Sequence, residues 1–190
     1  MKSHSKTMKA KKTLHNGYEF RSKLEAKWAI FFDLCGIKYD YEPEAFVCFD
    51  GSQYTPDFFL YDVALRSDYT INGVYVEIKP QNFNEDRKYQ ERISSAVETL
   101  IVLVGDPVYS TDQTERPNFQ YSPVWDSAMV LMYCENCKKY KFDYGTNSHY
   151  HCDKCDAHMT DGGMYDSNIK YNALLARKYR FEYVKLNQQP

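Results

Sequence analysis

A mixed α/β fold, with a central sheet flanked by helices and a small four-cysteine appendage, is predicted by three features of this 190-residue chain. One strong helical period, Leu24, Trp28, Phe31, Phe32 and Cys35, comes before a series of short strand patterns. Leu100–Val104 is a continuous apolar run of strand length ended by Gly105-Asp106-Pro107. That is the pattern of a strand buried on both faces, which a helix-covered sheet provides. Two Cys-x-x-Cys pairs then lie close together near the C-terminus.

The elements follow in order. Met1 to about Asn16 is basic, polar and aperiodic, with five lysines and no acid in its first twelve residues, and reads as a flexible arm. Ser22–Cys35 reads as a helix, with Gly36 where a C-terminal stop is expected. Ile37–Tyr41 and Phe46–Phe49 read as strands, Asp50-Gly51 as a hairpin turn, and Gln53–Val63 as the returning strand. Asn72-Gly73 is a second hairpin signal leading into Val74–Lys79. Pro80 ends that strand because it lacks the donor a ladder needs. Asn84 can cap a helix running to about Glu98, with Glu85 and Asp86 in its first turn. Residues 106–125 read as a long loop, Ala128–Tyr133 as a strand and Ser167–Arg180 as a last helix. The expected organisation is an arm (1–16), a core (17–133), a cysteine-bearing module (134–160) and a C-terminal helix packing back on the core (161–190).

The hydrophobic fraction, 43%, is that of a globular protein. No apolar run reaches the length of a membrane span, and no apolar stretch follows the basic start as a signal peptide requires. A soluble, cytoplasmic protein with no membrane partner is therefore expected. The net charge of −2 gives the surface as a whole no attraction for nucleic acid, so such binding must use local patches. Cys35 and Cys48 are single, lie in apolar contexts and read as reduced packing residues; a disulfide framework is not expected.

The chemistry lies in Tyr54-Thr55-Pro56-Asp57 and, twenty positions after the aspartate, Glu77-Ile78-Lys79. In Val74–Lys79 the apolar Val74, Val76 and Ile78 alternate with Tyr75, Glu77 and Lys79. A strand has a side-chain period of two, so Glu77 and Lys79 leave one face together. With a second carboxylate from a neighbouring strand they make a cation site beside a fixed positive charge, an arrangement suited to phosphodiester hydrolysis. The alternative is a turn aspartate and a solvated cross-strand charge pair.

Phe20-Arg21-Ser22-Lys23-Leu24-Glu25, Tyr54-Thr55-Pro56-Asp57-Phe58 and Val76-Glu77-Ile78-Lys79, in this order and on these elements, resemble the PD-(D/E)XK nuclease superfamily. The resemblance covers roughly residues 17–105 and is nearest to small phage and transposon members. It implies a restriction-endonuclease-like core and a Mg2+ (or Mn2+) ion held by Asp57, Glu77 and the Ile78 carbonyl. Mg2+ takes oxygen ligands and keeps several waters, so that donor set suffices. The resemblance also implies Lys79 as the residue that positions or activates water, DNA as substrate, and a 5′-phosphate and 3′-hydroxyl as products. A phage or mobile-element origin is suggested, in which case the cytoplasm is the host's. Glu25 has two readings. Ser22-x-x-Glu25 is a capping box, while relatives often carry a helix glutamate that assists the metal. Lys88 and Gln90 fall on the helix expected behind the site, and a solvated face is the plainer account of both.

Cys134-x-x-Cys137 and, fourteen residues on, Cys152-x-x-Cys155 have the form of a zinc ribbon, four thiolates satisfying one structural Zn2+. His149, His151 and His158 lie close by and read as non-ligands. Lys138, Lys139, Arg177 and Arg180 are candidate nucleic-acid contacts, set against a structural staple and an amphipathic packing helix. The expected function is a metal-dependent DNA endonuclease, acting alone, as a homodimer or inside a larger nucleoprotein complex. The alternatives are a non-cleaving nucleic-acid adaptor and a nuclease for branched DNA, single strands or RNA.

Overall fold

The computed structural model describes residues 12–65, 73–83, 87–97, 99–107, 120–122, 127–143, 151–159 and 167–181. Strands β1 (Thr13–His15) and β2 (Tyr18–Phe20) form a hairpin. Its turn residues Asn16 and Gly17 both have positive φ, 48° and 84°, the conformation for which Asn-Gly is suited. The end of the expected arm is thus a strand, and the Asn-Gly pair is the signal for it.

Helix α1 (Lys23–Cys35) starts where Ser22 Oγ accepts the Glu25 N–H at 3.1 Å. It ends at Gly36, φ 70°, where the N–H groups of Gly36 and Ile37 return to the carbonyls of Asp33 and Phe32. Ala26, Trp28, Ala29, Ile30, Phe31 and Phe32 are buried. Trp28 Nε1 donates to the Gly105 carbonyl at 2.9 Å, and Lys27 pairs with Asp106 at 2.7 Å. Both tie the helix to the turn after Leu100–Val104.

The chain continues through β3 (Tyr39–Tyr41), the separate hairpin β4 (Phe46–Val47) and β5 (Gln53–Tyr54), β6 (Phe58–Tyr61), β7 (Val63–Leu65) and β8 (Gly73–Lys79). The expected single strand over 53–63 is therefore three. Pro56 breaks it once, and Asp62, at φ 58°, breaks it again. Then come α2 (Arg87–Ser94), β9 (Leu100–Val104), β10 (Gln120–Ser122), β11 (Ser127–Cys134), β12 (Lys139–Asp143) and α3 (Ser167–Lys178). Helix α2 ends before the expected Glu98, and its proposed cap Asn84 lies outside the described residues. So do most of residues 106–125, but 120–122 form a strand where a loop was expected.

Eight strands make one mixed sheet in the order β3-β6-β8-β9-β10-β11-β12-β7. β8 pairs β9 in parallel and β6 antiparallel. β7 follows β6 after one residue yet pairs with β12 at the far end, so the sheet curls back toward its start. All five residues of β9 are buried, as its unbroken apolar run predicts. Ile101 and Leu103 join the core under α1 and α3, with Val74, Val76, Ile78, Ile169, Ala173 and Ala176. Leu100, Val102 and Val104 pack on the other face with Tyr54, Ile93 and Val97. Among the described residues no helix is long and apolar enough to cross a membrane.

Gly73 opens β8 at φ 152°, and a Cβ there would lie 2.3 Å from Phe59 Cζ. Gly73→Ala is expected to cost about 1–3 kcal/mol of stability, as overpacking usually does. Urea unfolding should show a lowered midpoint, partly recovered when Phe59→Leu shortens the ring. An unchanged midpoint would mean that the ring swings aside freely.

Candidate functional site

The register that pairs β6 with β8 sets Phe58 opposite Val76. One residue further, Asp57 falls opposite Glu77, so the two carboxylates leave the same face of the sheet. Both are buried, at 3% and 6% exposure. Pro56 carries no N–H, and the ladder stops there. The Asp57 side chain takes over, with Oδ2 accepting the Ile78 N–H at 2.7 Å. In a strand a residue's N–H and C=O point to the same side. The Ile78 carbonyl therefore faces the same open edge, toward Asp57.

The remaining carboxylate oxygens are also engaged. Asp57 Oδ1 meets Arg21 Nη2 at 2.5 Å. Glu77 Oε2 accepts the Tyr54 hydroxyl at 2.8 Å, and Oε1 pairs with Lys79. Lys79 lies on the face with Glu77, about one-fifth exposed, with its ammonium 5.3 Å from the Tyr89 ring centroid and 5.6 Å from that of Phe83. Burial, and then the charge of Glu77, hold the Asp57 carboxyl well above the usual carboxylate range; the Ile78 N–H works the other way. Two buried acids so close favour positive charge beside them, and Arg21 and Lys79 supply it.

Glu25 is also buried, and its carboxylate serves the start of α1. It accepts from Ser22 Oγ at 2.7 Å, from the Arg21 N–H at 3.2 Å and from the Tyr41 hydroxyl at 2.6 Å. Its charge reaches Asp57 and adds to the upward push there. Glu25, Asp57 and Glu77 do not gather their oxygens as tightly as the cysteines gather their sulfurs. On α2, Lys88 is exposed; the residues that reach the site are Tyr89 and Arg92, the latter 6.0 Å from the Tyr54 ring centroid. Sequence reading did not single out Arg21, Tyr41, Tyr54, Tyr89 or Arg92 for this site. For Tyr54 and Arg21 the signal was adjacency, one lying three residues before Asp57 and the other one residue before the helix cap.

The four thiols Cys134, Cys137, Cys152 and Cys155 lie within 4.8 Å of one another, and among the described residues they are the one such group of three or more metal-ligating side chains. Cys134 and Cys155 are 3.6 Å apart, Cys137 and Cys152 3.7 Å. A tetrahedron with metal–sulfur bonds of about 2.3 Å has edges of roughly 3.8 Å, so the cluster could hold a metal such as zinc. The two turns are built alike. The N–H of Lys138 returns to the Cys134 carbonyl and that of Asp156 to the Cys152 carbonyl, both at 2.8 Å, with φ of 55° and 57° at the donors. Burial opposes ionisation of Cys152, but the N–H groups of Lys154 and Cys155 outweigh it and bring the thiol down to about 7. The Cys137 thiol, hydrogen-bonded first to Cys155, is pushed up to about 12. His151 and His158 stand outside the cluster, bridged to each other; His149 is outside the described residues. The first turn joins β11 to β12, so this module is continuous with the main sheet. Lys141, buried in β12, pairs with Asp143 at 3.2 Å and donates to the His151 carbonyl at 2.9 Å, fastening the second turn.

Lys138 and Lys139 flank a cleft with Cys35, Gly36 and Lys38, at the C-terminal end of α1. α3, which carries Arg177, is anchored at that end as well, by Asn172 on the Leu34 carbonyl, and Arg180 follows it. Glu25 is ten residues away along α1, about 15 Å at helical rise. The four candidate contacts are therefore not gathered beside the carboxylates.

No family model matches the chain, and no curated protein or solved structure matches it.

Because the folded chain holds the Asp57 carboxyl above its ordinary range, the folded state binds a proton that the unfolded chain has released. Ionised Asp57 therefore costs stability, increasingly as pH rises from the ordinary carboxylate range through the raised value. Asp57→Asn should raise the melting temperature at alkaline pH without added Mg2+, by roughly 2–4 °C for about 1 kcal/mol in a chain of this size. Below the ordinary carboxylate range the gain should vanish. A variant that melts lower at every pH would contradict this.

Proposed function

We propose that the chain is a metal-dependent endonuclease of the PD-(D/E)XK type, acting on DNA. The observation that carries this reading is the alignment of Asp57 with Glu77 across β6 and β8, buried on one face with Lys79 and closed by the Ile78 edge. Those residues suit a hard divalent ion: two carboxylates and a carbonyl, with solvent to complete an octahedron. Such an ion, when bound, supplies Lewis acidity at the phosphate and acidifies a water.

The protein's own groups do the rest. Asp57 and Glu77 hold and orient the donor set, and Tyr54 fixes the Glu77 carboxylate through its hydroxyl. Lys79 is held over Tyr89 and Phe83, which limits where its ammonium can point. From there it orients the attacking water and offsets charge developing on the phosphate. We assign the cysteine cluster to a structural Zn2+, since four protein ligands leave no position open for substrate.

Supercoiled plasmid incubated with the purified chain and Mn2+ should be nicked or linearised. Asp57→Ala, Glu77→Ala and Lys79→Ala should each lose about 100-fold or more of that rate while remaining folded. Unchanged cleavage in all three variants would overturn the assignment. Silence of the unmodified chain on plasmid, on branched and single-stranded DNA and on RNA, with no Asp57-dependent heat on Mn2+ titration, would favour a non-cleaving adaptor instead.

Emission spectrometry should find about one zinc per chain, lost in Cys152→Ser. Because metal binding in such modules contributes on the order of 10 kcal/mol to folding, chelation should abolish amide protection in β12 and the two cysteine turns. Full protection after complete metal removal would show the module to be held by Lys141 and its partners alone.

A further inference from the structure

Arg21 has no role in the reading above, yet its side chain ends on the one Asp57 oxygen not spent on the backbone. Its Nη2 lies 2.5 Å from Asp57 Oδ1, and its Nε lies 2.8 Å from Glu42 Oε1. The backbone at Arg21 is fixed, its N–H shared between Glu25 Oε2 and the Tyr41 hydroxyl at 3.2 and 3.0 Å. The side chain is 55% exposed while that of Asp57 is 4% exposed. A half-exposed guanidinium on a fixed stem therefore bridges a buried acid and a surface acid.

We propose that Arg21 is an exchangeable cation of the site: it yields Asp57 Oδ1 to the divalent ion and passes to the phosphodiester, where it becomes a phosphate-binding residue. This rests on the assignment of Asp57 and Glu77 as ion ligands. An ion bound at about 2.1 Å from Oδ1 would stand only about 4 Å from a guanidinium nitrogen still 2.5 Å from that oxygen. Like charges at such separation repel strongly. Glu42 keeps hold of Nε, so the displaced group swings about that contact rather than leaving. It then faces the open side of the carboxylate pair, where a phosphate joined to the ion must lie. Guanidinium is suited to this exchange because its planar fork matches a carboxylate and a phosphate equally well.

The exchange predicts opposite effects from one substitution. Arg21→Gln removes a competitor for Asp57, so calorimetric titration with Mn2+ alone at alkaline pH should show binding about tenfold tighter than in the unmodified chain. The same variant should cleave plasmid about 100-fold more slowly at saturating Mn2+, having lost a donor to the phosphate. Arg21→Lys, which keeps the charge but not the fork, should fall between the two in both assays. A brace that merely steadies Asp57 would weaken ion binding and cleavage together. Unchanged or weaker Mn2+ binding in Arg21→Gln, or cleavage within about threefold of the unmodified chain, overturns the proposal while leaving the ion site standing. Absence of Asp57-dependent Mn2+ binding in the unmodified chain overturns the ion site, and this exchange with it.

Discussion

The contact on which the site depends is a side chain standing in for a backbone. The paired ladder of β6 and β8 ends at Phe58 and Val76, and beyond it the Ile78 N–H needs another acceptor. Asp57 accepts it instead, at 2.7 Å. That bond fixes the carboxylate against the strand that carries Glu77 and Lys79, and it turns the Ile78 carbonyl toward the same opening. A buried N–H without an acceptor is costly, so the fold itself enforces this geometry. The Pro-Asp pair is thus a structural device first, and the acid cluster follows from it.

The cluster is an expensive one. Three buried carboxylates, Glu25, Asp57 and Glu77, face two nearby cations, Arg21 and Lys79. Nearly every oxygen is held by a donor from a different element: the cap of α1, the Tyr41 hydroxyl of β3, the Tyr54 hydroxyl of β5 and the edge of β8. Such convergence leaves little freedom for the acids to rotate away from one another. It also leaves the negative charge incompletely balanced, which costs stability.

Much of this was legible in the sequence because it rests on short-range rules. Ser22 and Gly36 mark both ends of α1, the unbroken run Leu100–Val104 marks the buried strand, and the alternation in Val74–Lys79 puts Glu77 and Lys79 together. The Cys-x-x-Cys spacing marks the cysteine cluster, which the fold closes to a tetrahedral size. What stayed hidden is long-range. Pro56 is a local sign of the first break in the run 53–63, but no local pattern says that β7 crosses to pair with β12. The readers of the site are hidden for the same reason. Arg21 and Asp57 are 36 residues apart, Tyr54 and Glu77 23, and an arginine or tyrosine taken alone carries no mark of its partner. Asn16-Gly17 is a different case, since its hairpin signal was present and lay in a stretch whose basic composition suggested no structure.

Helix α1 also explains why the two candidate centres stand apart. The amide end of a helix carries partial positive charge and the carbonyl end partial negative charge. Glu25 and the Asp57 pair lie at the amide end, where anions are favoured. Lys38, Lys138 and Lys139 gather at the carbonyl end, beside the first cysteine turn, where cations are favoured. The helix thus holds Glu25 about 15 Å from that lysine group, ten residues at helical rise. The cysteine module is held to β7 and to α1 through β12 and the Tyr140 hydroxyl on the Cys35 carbonyl, so its tie to the acids runs through the sheet and the helix.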